Sequence, residues 1–273
     1  MFYTKPLFYE LHNHKCEVKM DGPTPSSGRG DIIRPKLIEI GIPAYNEEST
    51  IGDVLLRALS IIKKLKKFEK WLDIKLVVVN DGSTDATGDI AKSLGAVVLS
   101  HKRNRGAGAS IRTLLIYALR TGADIVVLMD ADGQHPPEEI PKLLGPVLRG
   151  EADVVIGSRF LRGHSYRVPS LKKIGIIFYS ILTSMLIRRR ITDVTSGFRA
   201  MNKRAVELVA PIYPDDHYAV KITIYMGLRG LKIVEVPVSM RPRRSGSSFI
   251  RGRALLSYHL KVLRYVIHAL AGR

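Results

Sequence analysis

Ile125-Val126-Val127-Leu128-Met129-Asp130-Ala131-Asp132 passes from five apolar residues straight into a pair of acids. A short apolar run that ends in polar turn chemistry reads as a strand buried in a sheet. In an open parallel α/β sheet, ligands gather beyond the carboxyl ends of the strands. Two carboxylates at such an end can share a Mg²⁺ or Mn²⁺ with a substrate diphosphate. Asp-x-Asp also arises as helix capping and turn chemistry, so the pair alone leaves a purely local role open.

The neighbours of this stretch add chemistry. Gln134 is the only glutamine in the chain, and its side-chain carbonyl can add a neutral ligand to a hard cation. The chain also has five asparagines and one cysteine, a shortage of labile side chains that hints at a heat-adapted, thermophile source. Pro136-Pro137-Glu138-Glu139 is expected to start a helix, with proline and acids in the first turn; these glutamates read as structural.

Working outward, strand-like runs occur at Leu37–Ile42, Ile74–Val79, Ala96–Leu99 and Val154–Ile156, separated by stretches with helical character. Thr50–Lys67 carries apolar residues at helical spacing, and Ile111, Leu114, Leu115 and Ala118 form a second stripe. The alternation predicts an α/β fold: an open, mostly parallel sheet flanked by helices. Phe198–Met201 and Lys232–Val236 read as two later strands around a helix near His217–Arg229, giving the sheet a mixed edge. Residues 1–35 read as a polar extension without a secretory signal, in which His12 and His14 are most simply solvated.

Three turns follow the early strands. Ile42-Pro43-Ala44-Tyr45-Asn46-Glu47-Glu48 offers an aromatic ring and carboxylates before a helix, suited to a nucleoside or to capping. In Asn80-Asp81-Gly82-Ser83-Thr84-Asp85, Asp81 can accept from a ribose or base, while Asp85 suits a helix cap. Arg103-Asn104-Arg105-Gly106-Ala107-Gly108 is a basic, glycine-bearing start of a helix, whose free backbone donors favour phosphate.

Charge points to an anionic partner. Lys and Arg number 43 against 25 Asp and Glu, a net charge of +18. The excess is local: no acid lies between Asp153 and Asp193, where Arg159, Arg162, Arg167, Lys172, Lys173, Arg188, Arg189 and Arg190 fall. Arg241–Arg273 is likewise basic and apolar. No nucleic-acid module is present in the sequence, so a nucleic-acid partner is not expected and an anionic membrane surface fits better. Ile174–Ile187, flanked by basic clusters, is too short to cross a bilayer, which needs roughly 20 apolar residues. It suits a helix in the headgroup boundary or in the core, and the interfacial reading is favoured. Arg251–Ala271 reads as a second amphipathic helix. Cys16 has no partner for an intramolecular disulfide.

The order Pro-Ala-Tyr-Asn-Glu, Asn-Asp-Gly-Ser-Thr-Asp, Asn-Arg-Gly-Ala-Gly and Asp-Ala-Asp-Gly-Gln-His resembles glycosyltransferase family 2, with its GT-A fold, over about Leu37–Ser248. Gly157-Ser158-Arg159, Asp193-Val194-Thr195-Ser196-Gly197-Phe198-Arg199 and Glu235-Val236-Pro237 make it most similar to the polyprenol-phosphate sugar synthases, of the dolichol-phosphate mannose synthase type. The resemblance implies that Pro43, Tyr45, Glu47 and Asp81 surround the nucleoside, that Asp130, Asp132 and Gln134 hold the metal, and that Arg159 faces an acceptor phosphate. Arg243 would fold over the donor diphosphate. Lys172 or Lys173 stands where relatives commonly have a second arginine, and Phe249 replaces a usual lysine. The Gln-x-x-Arg-Trp signature of processive synthases is missing.

The expected organisation is therefore an extension at 1–35, a GT-A domain at 36–248 with a membrane-interface segment at 168–190, and a basic amphipathic helix at 249–273. The expected activity is metal-dependent, inverting transfer of a hexose, mannose from GDP-mannose before others, to a polyprenyl phosphate at the cytoplasmic face of the membrane. Two alternatives stay open: a soluble family 2 enzyme using a hydroxyl acceptor and UDP-glucose, with Asp193 as base, or an inactive GT-A binding module. Asp193 can equally be a capping residue.

Overall fold

The computed structural model describes residues 35–161, 170–215 and 218–241. His12, His14, Arg162, Arg167, Arg243, Phe249 and the helix expected at 249–273 lie outside the described residues, as does the side chain of Lys172.

The chain alternates strands and helices. β1 (Lys36–Ala44), α1 (Glu48–Phe68), β2 (Leu72–Asn80), α2 (Thr87–Ser93), β3 (Val97–Ser100), α3 (Ala107–Thr121) and β4 (Ile125–Leu128) come first. Then follow α4 (Ile140–Leu148), β5 (Val154–Ser158), α5 (Ser170–Ile187), β6 (Arg199–Asn202), α6 (Lys203–Val209), α7 (Tyr218–Leu228) and β7 (Ile233–Pro237). Pro137–Glu139 forms a 3₁₀ turn, so the helix expected from the double proline starts only at Ile140. Glu138 pairs with Arg57, and Glu139 is buried, in keeping with structural roles.

The sheet has seven strands in the order β3-β2-β1-β4-β6-β5-β7. Its β1–β2, β1–β4, β2–β3 and β5–β7 pairs are parallel; β6 runs antiparallel to both β4 and β5. The reversed strand is thus interior, not at an edge as the sequence suggested. Strands that are buried on both faces must be apolar throughout, which is why Ile125–Leu128 and Val154–Ile156 are continuous runs. One core lies on the α1 and α4 face, the other on the α3, α6 and α7 face.

α5 shows two characters. Ile176, Tyr179, Ser180, Thr183 and Ile187 are buried, and the helix packs on α7. Ile174 (64% exposed), Ile177, Phe178, Ile181 and Met185 (72% exposed) line its other side in an open apolar stripe. The core reading holds for the face that packs on α7; the other face is apolar and exposed. No helix among the described residues is long and apolar enough to cross a membrane.

Candidate active site

Parallel pairing brings the carboxyl ends of β1, β2, β3, β4, β5 and β7 to one edge of the sheet. β6 starts at that same edge, because Arg199 sits opposite both Leu128 and Ile156. Its reversal therefore delivers the Asp193–Phe198 segment between the ends of β4 and β5. A parallel strand there would have sent this segment to the opposite edge.

The first three loops are tied to one another by short polar bonds. Asn46, at φ 52°, donates its amide to the Ser83 hydroxyl and accepts from the Thr84 amide. The Glu47 amide donates to the Thr87 hydroxyl, while its carboxylate accepts from Thr50. Asp85 accepts from the amides of Glu48 and Thr87, so it caps the first turns of both α1 and α2. Tyr45 is half-buried beside these turns. Pro43 costs no ladder bond on the β4 side, since β4 pairs only as far as Gly41.

Asp81 is buried and multiply engaged. Its carboxylate accepts from the amides of Arg105 and Gly106 and lies 2.6 Å from Nδ1 of His101, whose Nε2 meets the Thr113 hydroxyl at 2.9 Å. Asp81 thus fastens the basic loop to the end of β2. Gly82, at φ +71°, lies so close to the Arg103 backbone that a Cβ would stand 2.5 Å from its carbonyl carbon. Gly108 is pressed against the backbone of Pro214 and Asp215 in the same way. These glycines permit backbones to touch where a side chain would hold them apart.

Asp130 and Asp132 follow β4 on the turn that Gly133 completes at φ +75°. The Asp130 side chain is 40% exposed; Asp132 is buried and accepts from the Gln134 amide at 3.0 Å. His135, buried and stacked on Phe198 with ring centroids 4.9 Å apart, accepts the Asp130 amide at Nδ1. The ring thus holds the Asp130 backbone, and its Nδ1 also lies 3.5 Å from the Asp130 carboxylate. Gly197 borders the Asp130 carboxylate, where a Cβ would come to 3.7 Å from Oδ1. Among the described residues no group of three or more His, Cys, Asp or Glu could enclose a metal. The partly exposed Asp130 carboxylate, with Asp132 buried beside it, offers oxygen ligands of the kind a hard divalent cation takes.

Arg159, just beyond β5, is held by Asp193. Nε donates to Oδ2 at 2.6 Å, Nη2 to Oδ1 at 2.6 Å, and the Arg159 amide also donates to Oδ2. Nη2 reaches the Thr195 hydroxyl at 2.7 Å. Asp193 is wholly buried; besides this bidentate pair its carboxylate accepts from the Thr195 hydroxyl at 3.2 Å, and its carbonyl accepts from the Ser196 amide, so it also ties the turn that follows it. Arg199 is buried as well, donating to the carbonyls of Ser196 and Val194 and to the Thr223 hydroxyl. It stiffens the loop that carries Gly197. Burial raises the pKa of Tyr213 nearby, so its hydroxyl stays protonated.

Sequence reasoning named Pro43, Tyr45, Glu47, Asp81, Asp130, Asp132, Gln134 and Arg159, and all lie along this edge. Lys173 is exposed near the start of α5, at the head of the apolar stripe. His101, His135 and Arg199 went unnoticed as functional supports. His135 ends the Asp-Ala-Asp-Gly-Gln-His motif and Arg199 ends the Asp193–Arg199 motif; His101 offered no signal beyond following a strand.

The strand order and the loops along its rim define a GT-A protein. The chain belongs to glycosyl transferase family 2, whose profile matches residues 39–209. It is 31% identical to a UDP-N-acetylglucosamine–dolichyl-phosphate N-acetylglucosaminyltransferase of Methanococcus voltae, over 74% of this chain and 85% of that protein. It is also 31% identical to an undecaprenyl-phosphate mannosyltransferase of Micrococcus luteus, over 84% of this chain and 93% of that one. Among solved structures, the glucosyl-3-phosphoglycerate synthase of Mycobacterium tuberculosis in complex with Mg²⁺ and UDP superposes with a TM-score of 0.63. Identity there is 25%, covering 85% of this chain and 79% of the other. The protein is a glycosyltransferase related to the polyprenol-phosphate glycosyltransferases.

Proposed function

We propose that this protein transfers mannose from GDP-mannose to a polyprenyl phosphate, inverting the anomeric carbon, while docked on the cytoplasmic face of a membrane. The observation that carries the lipid part is the apolar stripe of α5. The same helix is bonded through the Ser180 and Ser184 hydroxyls to residues 191, 192 and 194, which flank Asp193. A helix wetted by lipid on one side and tied to the Arg159 counter-ion on the other suits an acceptor whose phosphate sits at the headgroup level. The two relatives named for polyprenyl phosphates support that acceptor, and the mannosyltransferase supports that sugar.

Tyr45, Glu47 and the Asp81-anchored loop would receive the nucleoside. Asp130 and Asp132, with Gln134, would hold a Mg²⁺ or Mn²⁺, and the partly exposed Asp130 fits that task. When bound, such an ion neutralises charge on the departing diphosphate. Arg159 would draw the acceptor phosphate towards the sugar, helped by Lys173 or Lys172, and Arg243 would fold over the donor diphosphate. A phosphate monoester has a second pKa near ~6, so the nucleophile is already ionised at neutral pH. No side-chain base is required. Asp193 could not easily be one, because both its oxygens are engaged by the Arg159 guanidinium. That engagement disfavours a hydroxyl acceptor.

The test is a donor screen with short-chain polyprenyl phosphate, reading the product by mass. GDP-mannose with Mn²⁺ or Mg²⁺ should yield a hexosyl-phosphoprenol. Transfer from UDP-glucose or UDP-N-acetylglucosamine instead would correct the donor. Transfer to no lipid phosphate would end the proposal.

A further inference from the structure

Glu235, in the Glu-Val-Pro motif of β7, has no part in the chemistry above, yet its carboxylate is half-buried among groups that all lead to Arg159. We infer that Glu235 is a positioning residue: through Thr192 and Asp193 it sets where the Arg159 guanidinium points. Its Oε1 accepts from the Asp193 amide at 2.8 Å, and its Oε2 accepts from both the amide and the hydroxyl of Thr192, each at 2.8 Å. Two tethers diverge from there. Asp193, its backbone pinned, grips the Arg159 side chain with both carboxylate oxygens. Thr192, its proton committed to Glu235, accepts from the Ser158 hydroxyl at 2.7 Å, and Ser158 in turn accepts from the Phe160 amide at 3.2 Å.

The residues before and after Arg159, and its counter-ion, therefore all refer to one carboxylate. The register fixes this, since Ile156 pairs with Glu235 and Ser158 with Pro237 across β5 and β7. The task needs two acceptor oxygens. An amide has one, and its NH₂ would face an N–H of Thr192 or Asp193. A second negative charge close to Asp193 is a poor device for stability alone, and burial raises the pKa of Glu235 against the bonds that hold it ionised. The carboxylate also borders an open cavity of about 290 Å³ with Phe160, Leu161 and Arg190, next to the residue it orients. That the oriented guanidinium meets an acceptor phosphate rests on the function proposed above; its orientation by Glu235 does not.

The experiment reads the side-chain Nε–H resonances of ¹⁵N-arginine-labelled full-length protein. Arg159→Lys assigns one signal, and the buried Nε–H of Arg199, donated to the Ser196 carbonyl at 2.7 Å, serves as internal control. In Glu235→Gln the Arg159 signal should move towards those of exposed arginines while the Arg199 signal stays, and Glu235→Asp should restore part of the shift. In the transfer assay the acceptor KM should rise on the order of tenfold with the donor KM unchanged. An unmoved Arg159 signal in Glu235→Gln overturns the inference. Should that variant lose both signals by unfolding, Thr192→Val decides: it removes the hydroxyl tether alone, and a shift confined to Arg159 supports the inference while none overturns it. A wild-type protein that transfers no sugar to polyprenyl phosphate would sink the functional proposal and leave the resonance result standing.

Discussion

The loops after β1, β2 and β3 and those around β5, β6 and β7 are held by different physics. In the first group, small hydroxyls and carboxylates meet backbone amides a few residues from a helix start, as Asp85, Ser83 and Thr87 do. In the second, charged side chains meet one another and the backbone: buried Asp193 with the partly buried Arg159, buried Arg199 among carbonyls, and half-buried Glu235 on the Asp193 amide, whereas the first group has one such buried carboxylate in Asp81. Fixed dipoles shape a cradle before any ligand arrives and cost little to keep. Buried charges are expensive, and under the proposed function they would hold a cation in a fixed direction for an incoming anion. Both groups are tied between segments far apart in the chain, the first mainly by amide and hydroxyl bonds that link its turns, the second by charged pairs.

Variants sharpen or break this contrast. The largest effect is expected at the acid pair: Asp132→Ala should lower kcat by about 10³-fold or more and abolish Mn²⁺-dependent donor binding in calorimetry. Full activity in that variant would remove the metal from the donor side. Next, Asp193→Asn strands the Arg159 charge, whose side chain is only 12% exposed, and should cost about 3 kcal/mol in urea unfolding. Ser83→Ala, which deletes a neutral bond in the other group, should cost about 1 kcal/mol or less. Equal costs would erase the distinction between the two sides.

The helix with the apolar stripe is bonded to the segment around Asp193. Phe178→Glu with Ile181→Glu should weaken sedimentation with anionic liposomes on the order of a hundredfold, without lowering Tm, because both side chains are exposed. Wild-type binding should also weaken with salt. Undiminished binding by the double variant would detach α5 from the membrane. The smallest effect concerns Glu39, a buried acid on β1 whose pKa is raised by burial and opposed by the Thr121 hydroxyl. Because the folded state holds this proton more tightly than the unfolded chain, its contribution is full below the ordinary value of 4.5 and is lost as pH rises through the folded pKa. Urea midpoints compared at pH 4 and pH 7 should fall less in Glu39→Gln than in wild type; equal falls would assign that slope to other groups.

Much of the parallel half was legible because its signals are local. Apolar runs marked β1, β2, β4 and β5, and the helical stripe at Ile111, Leu114, Leu115 and Ala118 is buried as expected. Asp85 caps, as its spacing suggested. β6 was legible as a strand but not in its place: four residues carry no mark of their neighbours, and only pairing puts Arg199 opposite Leu128 and Ile156. α6 went unread because seven residues with three buried positions make a weak period. Asp193 remained ambiguous between base and cap because its true partner, Arg159, lies 34 residues away.

What the residue order determined by itself was the alternation of buried strands with helices, the chemistry of each turn and the acid pair after β4, since these depend on neighbours within a few positions. Family membership followed from the same short motifs. The tertiary structure alone decided that a reversed interior strand feeds the Asp193–Arg199 loop into the site, that Asp193 is a counter-ion, and that α5 is core on one face and open on the other. Those outcomes depend on which surfaces meet across the sheet, and a linear pattern does not encode contact between residues separated by dozens of positions.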